Sequence, residues 1–118
     1  MSPAHRYMVA FMAASLKARR TFTHVHDHDA GREIAVGGAV RAAGIDIVEG
    51  LSRTRFSGKP EAVLDHAAGA HIQLALEKDG FSGYDYASEK HFHGVFAQAG
   101  AVQLFDHETG RWHAFHIS

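Results

Sequence analysis

The sequence predicts a mainly β fold: an antiparallel meander of hairpin repeats, barrel-like or strongly curved, with one N-terminal α-helix. Three observations predict it. A turn pattern, Asp-x-x-small-(Gly/Glu)-x, occurs four times; turn signals recur about every ten residues after Arg20; and the segments between them alternate apolar and polar residues. The turn copies are Asp27-His28-Asp29-Ala30-Gly31-Arg32, Asp65-His66-Ala67-Ala68-Gly69-Ala70, Asp85-Tyr86-Ala87-Ser88-Glu89-Lys90 and Asp106-His107-Glu108-Thr109-Gly110-Arg111. Their steps are 38, 20 and 21 residues, so the first interval reads as two periods, with a degenerate copy at Asp46-Ile47-Val48-Glu49-Gly50. A period near 20 residues gives one hairpin per unit.

The chain reads as a single domain, 1–118, with the helix over 3–19 and the hairpin repeats over 20–118. Ser2 suits an N-cap and Pro3 the first helical position. Met8, Phe11, Met12, Ser15 and Leu16 share a face, so the helix is predicted to be amphipathic and to cover an open end of the sheet. Lys17, Arg19 and Arg20 suit the negative end of its dipole. In each turn the Asp side chain can accept a backbone N–H two residues on, and Gly31, Gly69 and Gly110 supply a left-handed position. Asp27 with Arg32, Asp85 with Lys90 and Asp106 with Arg111 are expected to pair across the strands. A second turn series, Gly37-Gly38, Ser57-Gly58, Lys78-Asp79-Gly80 and Gln98-Ala99-Gly100, marks the other end of the hairpins. Strand boundaries within 39–56 are not fixed by the pattern.

Strand parity separates two faces. One collects Val25, Ile34, Val36, Val63, Ile72, Leu74, Leu76, Phe81, Phe92, Phe96, Val102, Leu104, Phe115 and Ile117, and is the predicted core. The other collects His24, His26, His28, His66, His71, His91, His93, His107 and His116 with Tyr84, Tyr86, Phe105 and Trp112. Only His5 and His113 of the eleven histidines fall outside that face.

Composition excludes several functions. There is no cysteine, which removes disulfides and thiolate metal sites and fits a cytoplasmic protein. Twelve Lys and Arg against thirteen Asp and Glu leave no basic footprint for nucleic acid. No apolar run reaches the roughly 18 residues of a membrane span. The apolar stretch 7–16 weakly imitates a secretory signal, but it lacks a strongly basic start and a clean cleavage site. The serines lie in no nucleophile elbow and the glycines in no phosphate-binding loop.

Two patterns carry chemistry. Tyr84, Tyr86, His91, Phe105, His107, Trp112 and His116 form a shallow strip of flat rings with polar tips, suited to a protein partner or a small ligand. His24-x-His26-x-His28 with Glu33 on the next strand supplies imidazoles and a carboxylate on one face, the ingredients of a Zn or Fe site. The cupin family uses a comparable His-x-His followed by Glu; its flanking glycines and second motif are absent here, so the likeness is one of spacing. The turn rhythm is similar to that of choline-binding hairpin repeats, whose paired tryptophans this chain lacks. The leading expectation is a non-catalytic binding or interaction module. Its alternative is a metal-binding protein or metal-dependent enzyme on the histidine strand. A third reading docks the helix or a sheet edge in a homo-oligomer or larger assembly.

Overall fold

In the computed structural model, which describes residues 1–118, each strand pairs antiparallel with the next and the last closes on the first. The helix α1 (Pro3–Ala18) is followed by β1 (His24–Asp27), β2 (Arg32–Arg41), β3 (Gly44–Glu49), β4 (Arg55–Lys59) and β5 (Ala62–Asp65). The second half comprises β6 (Ala70–Leu76), β7 (Gly80–Asp85), β8 (Lys90–Phe96), β9 (Ala101–Asp106) and β10 (Arg111–Ile117). The result is a ten-stranded meander barrel, sealed where β1 pairs β10 through Val25–Ile117, His26–His116 and Asp27–Phe115.

The helix does not cover an end of this barrel; it runs inside it. Met8, Val9, Ala10, Phe11, Met12 and Ala13 are completely buried, and their side chains point in every direction round the axis. A helix that is apolar all round belongs in a core rather than at a surface. The strands explain why it is needed. About eight strands enclose a space that their own side chains fill, so ten leave a lumen that must be plugged. Ser2 caps the helix as predicted, its Oγ accepting the His5 N–H at 3.1 Å, and Pro3 opens the first turn. The chain leaves the helix at Arg19, whose N–H bonds the Leu16 carbonyl.

Strand parity holds. Val25, Ile34, Val36, Val63, Ile72, Leu74, Phe81, Phe92, Val102, Leu104, Phe115 and Ile117 are buried against the helix. The irregular stretch contributes Val40, Ile45, Ile47 and Phe56 to the same core. Two expected core residues fall short: Leu76 is 42% exposed and Phe96 only partly buried, because both stand at the rim of the barrel.

Two of the predicted turns are not turns. Gly37-Gly38 lies within β2 and Ser57-Gly58 within β4, with the reversals further on, at 42–43 and 60–61. Gly38 and Gly58 have φ of 101° and 135°, and a Cβ at either would strike backbone of the neighbouring strand. They bend the strands where the barrel wall must curve. Two other glycines make room for rings. Gly83 faces Phe92 and Gly94 faces Phe81 across the β7–β8 ladder, and a Cβ on either glycine would collide with the partner's ring. Gly94→Ala is therefore expected to destabilise by about 1–3 kcal/mol through overpacking. An unchanged urea midpoint would show that Phe81 can move aside at no cost.

Candidate functional site

Hydrogen bonding separates the two ends of the barrel. At the end holding the helix N-terminus, the turn acids form a buried ring. Asp27, Asp65, Asp85 and Asp106 are the last residues of β1, β5, β7 and β9. Each uses an oxygen to accept turn N–H groups, as Asp65 Oδ1 does from Ala67 and Ala68 at 2.8 and 3.0 Å. Each also binds the helix. Tyr7 donates to Asp27 at 2.6 Å, Arg6 to Asp106 at 3.1 Å, and His5 spans Asp65 and Asp85 at 2.6 and 3.0 Å.

The expected ion pairs across the turns are consequently absent. Asp27–Arg32, Asp85–Lys90 and Asp106–Arg111 are register partners, but the acids point inward and the cations outward. Arg111 reaches Asp29 instead, at 3.5 Å. The degenerate copy is corrected too. Asp46 is exposed and pairs with Arg55, whereas Glu49 takes the turn-capping role, accepting from Leu51 and Ser52 N–H at 2.6 and 3.0 Å. Its longer side chain reaches the turn but has no partner on the helix.

The ring is ionic. Burial alone would lower the His5 pKa, but hydrogen bonds to Asp85 and Asp65, and the charge of both, raise it above the usual imidazole value. Both ring nitrogens face carboxylates, an arrangement that favours the imidazolium, whose two N–H groups can donate at once. Burial works against the Asp65 and Asp85 carboxylates, yet the His5 contacts and turn N–H groups hold both below the usual range. Burial and the bond to Asp27 push the Tyr7 hydroxyl up to about 12. No buried side-chain polar atom lacks a partner.

The outer wall carries the other histidines. On β8, β9 and β10, His93 stacks on Phe105 with ring centroids 5.3 Å apart, and Trp112 meets both rings edge-on at 5.4 Å. His107 closes the group, 4.9 Å from Phe105 and with its Nε2 3.4 Å from His93 Nδ1. Tyr84 on β7 lies 4.7 Å from Tyr86 in the following turn and 4.8 Å from His91 on β8. His116 stands apart, beside His26 at 6.2 Å. The seven predicted strip residues thus divide into Phe105–His107–Trp112, Tyr84–Tyr86–His91 and an outlying His116. The pattern left out His93, the ring that joins Phe105, His107 and Trp112; its outward parity was the available signal. His66 bonds Ser57 Oγ at 2.7 Å.

The histidine strand is less convergent than its spacing suggests. Glu33 Oε1 lies 3.4 Å from His26 Nε2 and 3.9 Å from His24 Nε2. His28 lies beyond β1 in the turn. No group of three or more His, Asp or Glu side chains is arranged to hold a metal ion. A hydroxyl, an imidazole and a carboxylate line up at Thr109, His113 and Asp29, with 2.9 Å from Oγ1 to Nε2 and 3.6 Å from Nδ1 to Oδ2. Burial and then the Arg6 and Arg111 charges hold the His113 pKa below its usual value. Thr109 Oγ1 also donates to the Asp106 carbonyl at 3.3 Å, so the trio reads as a lock on the β9–β10 turn.

These features define a helix-filled antiparallel barrel with an aromatic and imidazole outer wall. In comparisons with known proteins, no family model, curated protein or solved structure matches the chain. No helix is long and apolar enough to cross a membrane.

Proposed function

We infer that the protein is a non-catalytic interaction module whose contact surface is the wall formed by β7 to β10. The observation that carries this is the contiguous set His93, Phe105, His107 and Trp112, mutually packed yet facing outward, with Trp112 47% exposed. Rings already fixed by one another lose little entropy on binding, and Trp and Tyr are the side chains that dominate binding surfaces. The wall is the outside of a closed barrel whose lumen is occupied by its own helix. A depression of about 400 Å³ on the same wall is lined in part by His91, His93 and His107, whereas Trp112 stands outside it. The exposed Trp112 edge is better matched by a protein that supplies a groove for it.

Trp112 is the sole tryptophan, so it reports on its own site. Binding of a protein partner should shift its emission to the blue and protect it from acrylamide. Trp112→Ala should weaken binding by roughly 30-fold or more, the scale of a hot-spot residue, while leaving the melting temperature unchanged. A partner that binds Trp112→Ala as tightly as the original chain would eliminate this wall as the interface. Metal binding through His24, His26, His28 and Glu33 is the second reading, favoured by the approach of Glu33 to two imidazoles, although no three of these side chains are arranged to hold an ion. Stoichiometric zinc or iron in untagged protein, lost in His26→Ala, would bring it to the front.

A further inference from the structure

The barrel mouth opposite the acid ring is built differently. There the last turn of α1 emerges beside the β2–β3 and β6–β7 turns and leaves a depression of about 470 Å³. Small-molecule sites span about 300–1,000 Å³. Leu16, Val40 and Leu76 give it an apolar floor, and Leu76 stands 42% exposed at a position whose parity is inward. Arg19 and Arg41 flank that floor. The arginines that form ion pairs are Arg6, Arg55 and Arg111, so neither flanking guanidinium is neutralised.

Arg19 sits in the left-handed region at φ 56°, ψ 36°, where a helix ordinarily ends in glycine. A side chain there is penalised, as it is at Arg53 and Glu89 in hairpin turns. The conformation sets a charged residue beside the groove where glycine would present nothing. Two of the helix's terminal carbonyls, those of Leu16 and Ser15, accept the Arg19 and Arg20 N–H groups. The β6–β7 turn beside the mouth carries Glu77 and Asp79 with Lys78 between them.

We propose that this mouth binds a small anionic amphiphile, of which a medium-chain carboxylate is the simplest. Its head lies between Arg19 and Arg41 and its tail covers Leu16, Val40 and Leu76. The site is independent of the aromatic wall, which occupies the outside of β7 to β10.

The test is a methyl-resolved NMR titration of the full chain with octanoate, with octylammonium as the same tail of opposite charge. Octanoate should shift the Leu16, Val40 and Leu76 methyls, and octylammonium should bind at least about tenfold more weakly, as should octanoate to Arg41→Gln. Arg19→Gly is the sharper variant: it removes the strain, so its melting temperature should rise while octanoate affinity falls. Equal shifts from both amphiphiles, shifts confined to other residues, or unaltered octanoate binding by both variants would overturn the proposal. So would capture by phosphatidylglycerol vesicles without any response to free octanoate, which would make the mouth a membrane-docking surface.

Discussion

Replacing His5 by Leu is expected to destabilise the fold by about 3–5 kcal/mol, the cost of leaving buried charges without their counter-ion. Asp65 and Asp85 would then face each other through an apolar side chain, each still bound to its turn. The effect also has a pH signature. Because the folded pKa of His5 is raised, the clamp contributes fully below the ordinary imidazole value of about 6.5 and is lost as pH rises through the folded value. Asp65, Asp85 and Asp106 have lowered folded pKa values, so their contribution is present above about 3.8 and disappears on acidification. His113 has the opposite sign to His5: its depressed pKa removes stability as pH falls below about 6.5. His5→Gln isolates the clamp from these other groups. The difference in urea midpoint between His5→Gln and the original chain should shrink steadily from neutral to alkaline pH. A difference that stays flat would mean that His5 packs as a neutral ring.

The architecture was legible because hairpin registers leave a strict mark. Turn acids at a period near 20 residues, and side chains alternating between them, place Val63, Ile72 and Phe92 inside and His71, His91 and His93 outside without further information. Whether the strip closes was not legible, since closure depends on strand number and tilt, which leave no local trace. The position of the helix is also marked in the sequence, though the shared face of Met8, Phe11 and Met12 masks it. From Tyr7 to Leu16 there is no charged residue on any side, which is the pattern of an enclosed helix rather than an amphipathic one.

The acid ring illustrates a different limit. Asx-turn geometry explains why Asp occupies each turn, and that account was sufficient in itself. It left the helix contacts unassigned: the second oxygen of Asp27, Asp65 and Asp106 holds Tyr7, His5 and Arg6, while His5 shares Asp85 Oδ1 with the Ala87 N–H. Contacts separated by 60 or more residues, such as His5–Asp65 and His5–Asp85, have no spacing rule that would announce them. His5 was visible only as one of two histidines outside the outward face. The clustering of His93, Phe105, His107 and Trp112 was half visible, because parity fixes the face but not which neighbours touch. Arg19 and Arg41 were out of reach, since their juxtaposition needs the helix to run the length of the lumen.

Phe11→Ala should remove about 3–5 kcal/mol, the loss found when a large aromatic leaves a sealed core. At this chain length that amounts to a fall of roughly 10–20 °C in melting temperature. Phe11 is completely buried, and the walls round it are ladder-bonded strands that cannot collapse inward to refill its volume. A helix lying over one end would also suffer from this change, so Ala13→Leu supplies the discriminating measurement. Residues 11 and 13 point about 200° apart round the axis. On a surface helix, Leu at position 13 would face solvent and cost almost nothing. Inside the barrel Ala13 is also fully buried, and the added carbons must displace wall side chains at about 1–3 kcal/mol. Loss at both positions is expected only when the wall surrounds the helix, and a neutral Ala13→Leu would place one of its faces in water.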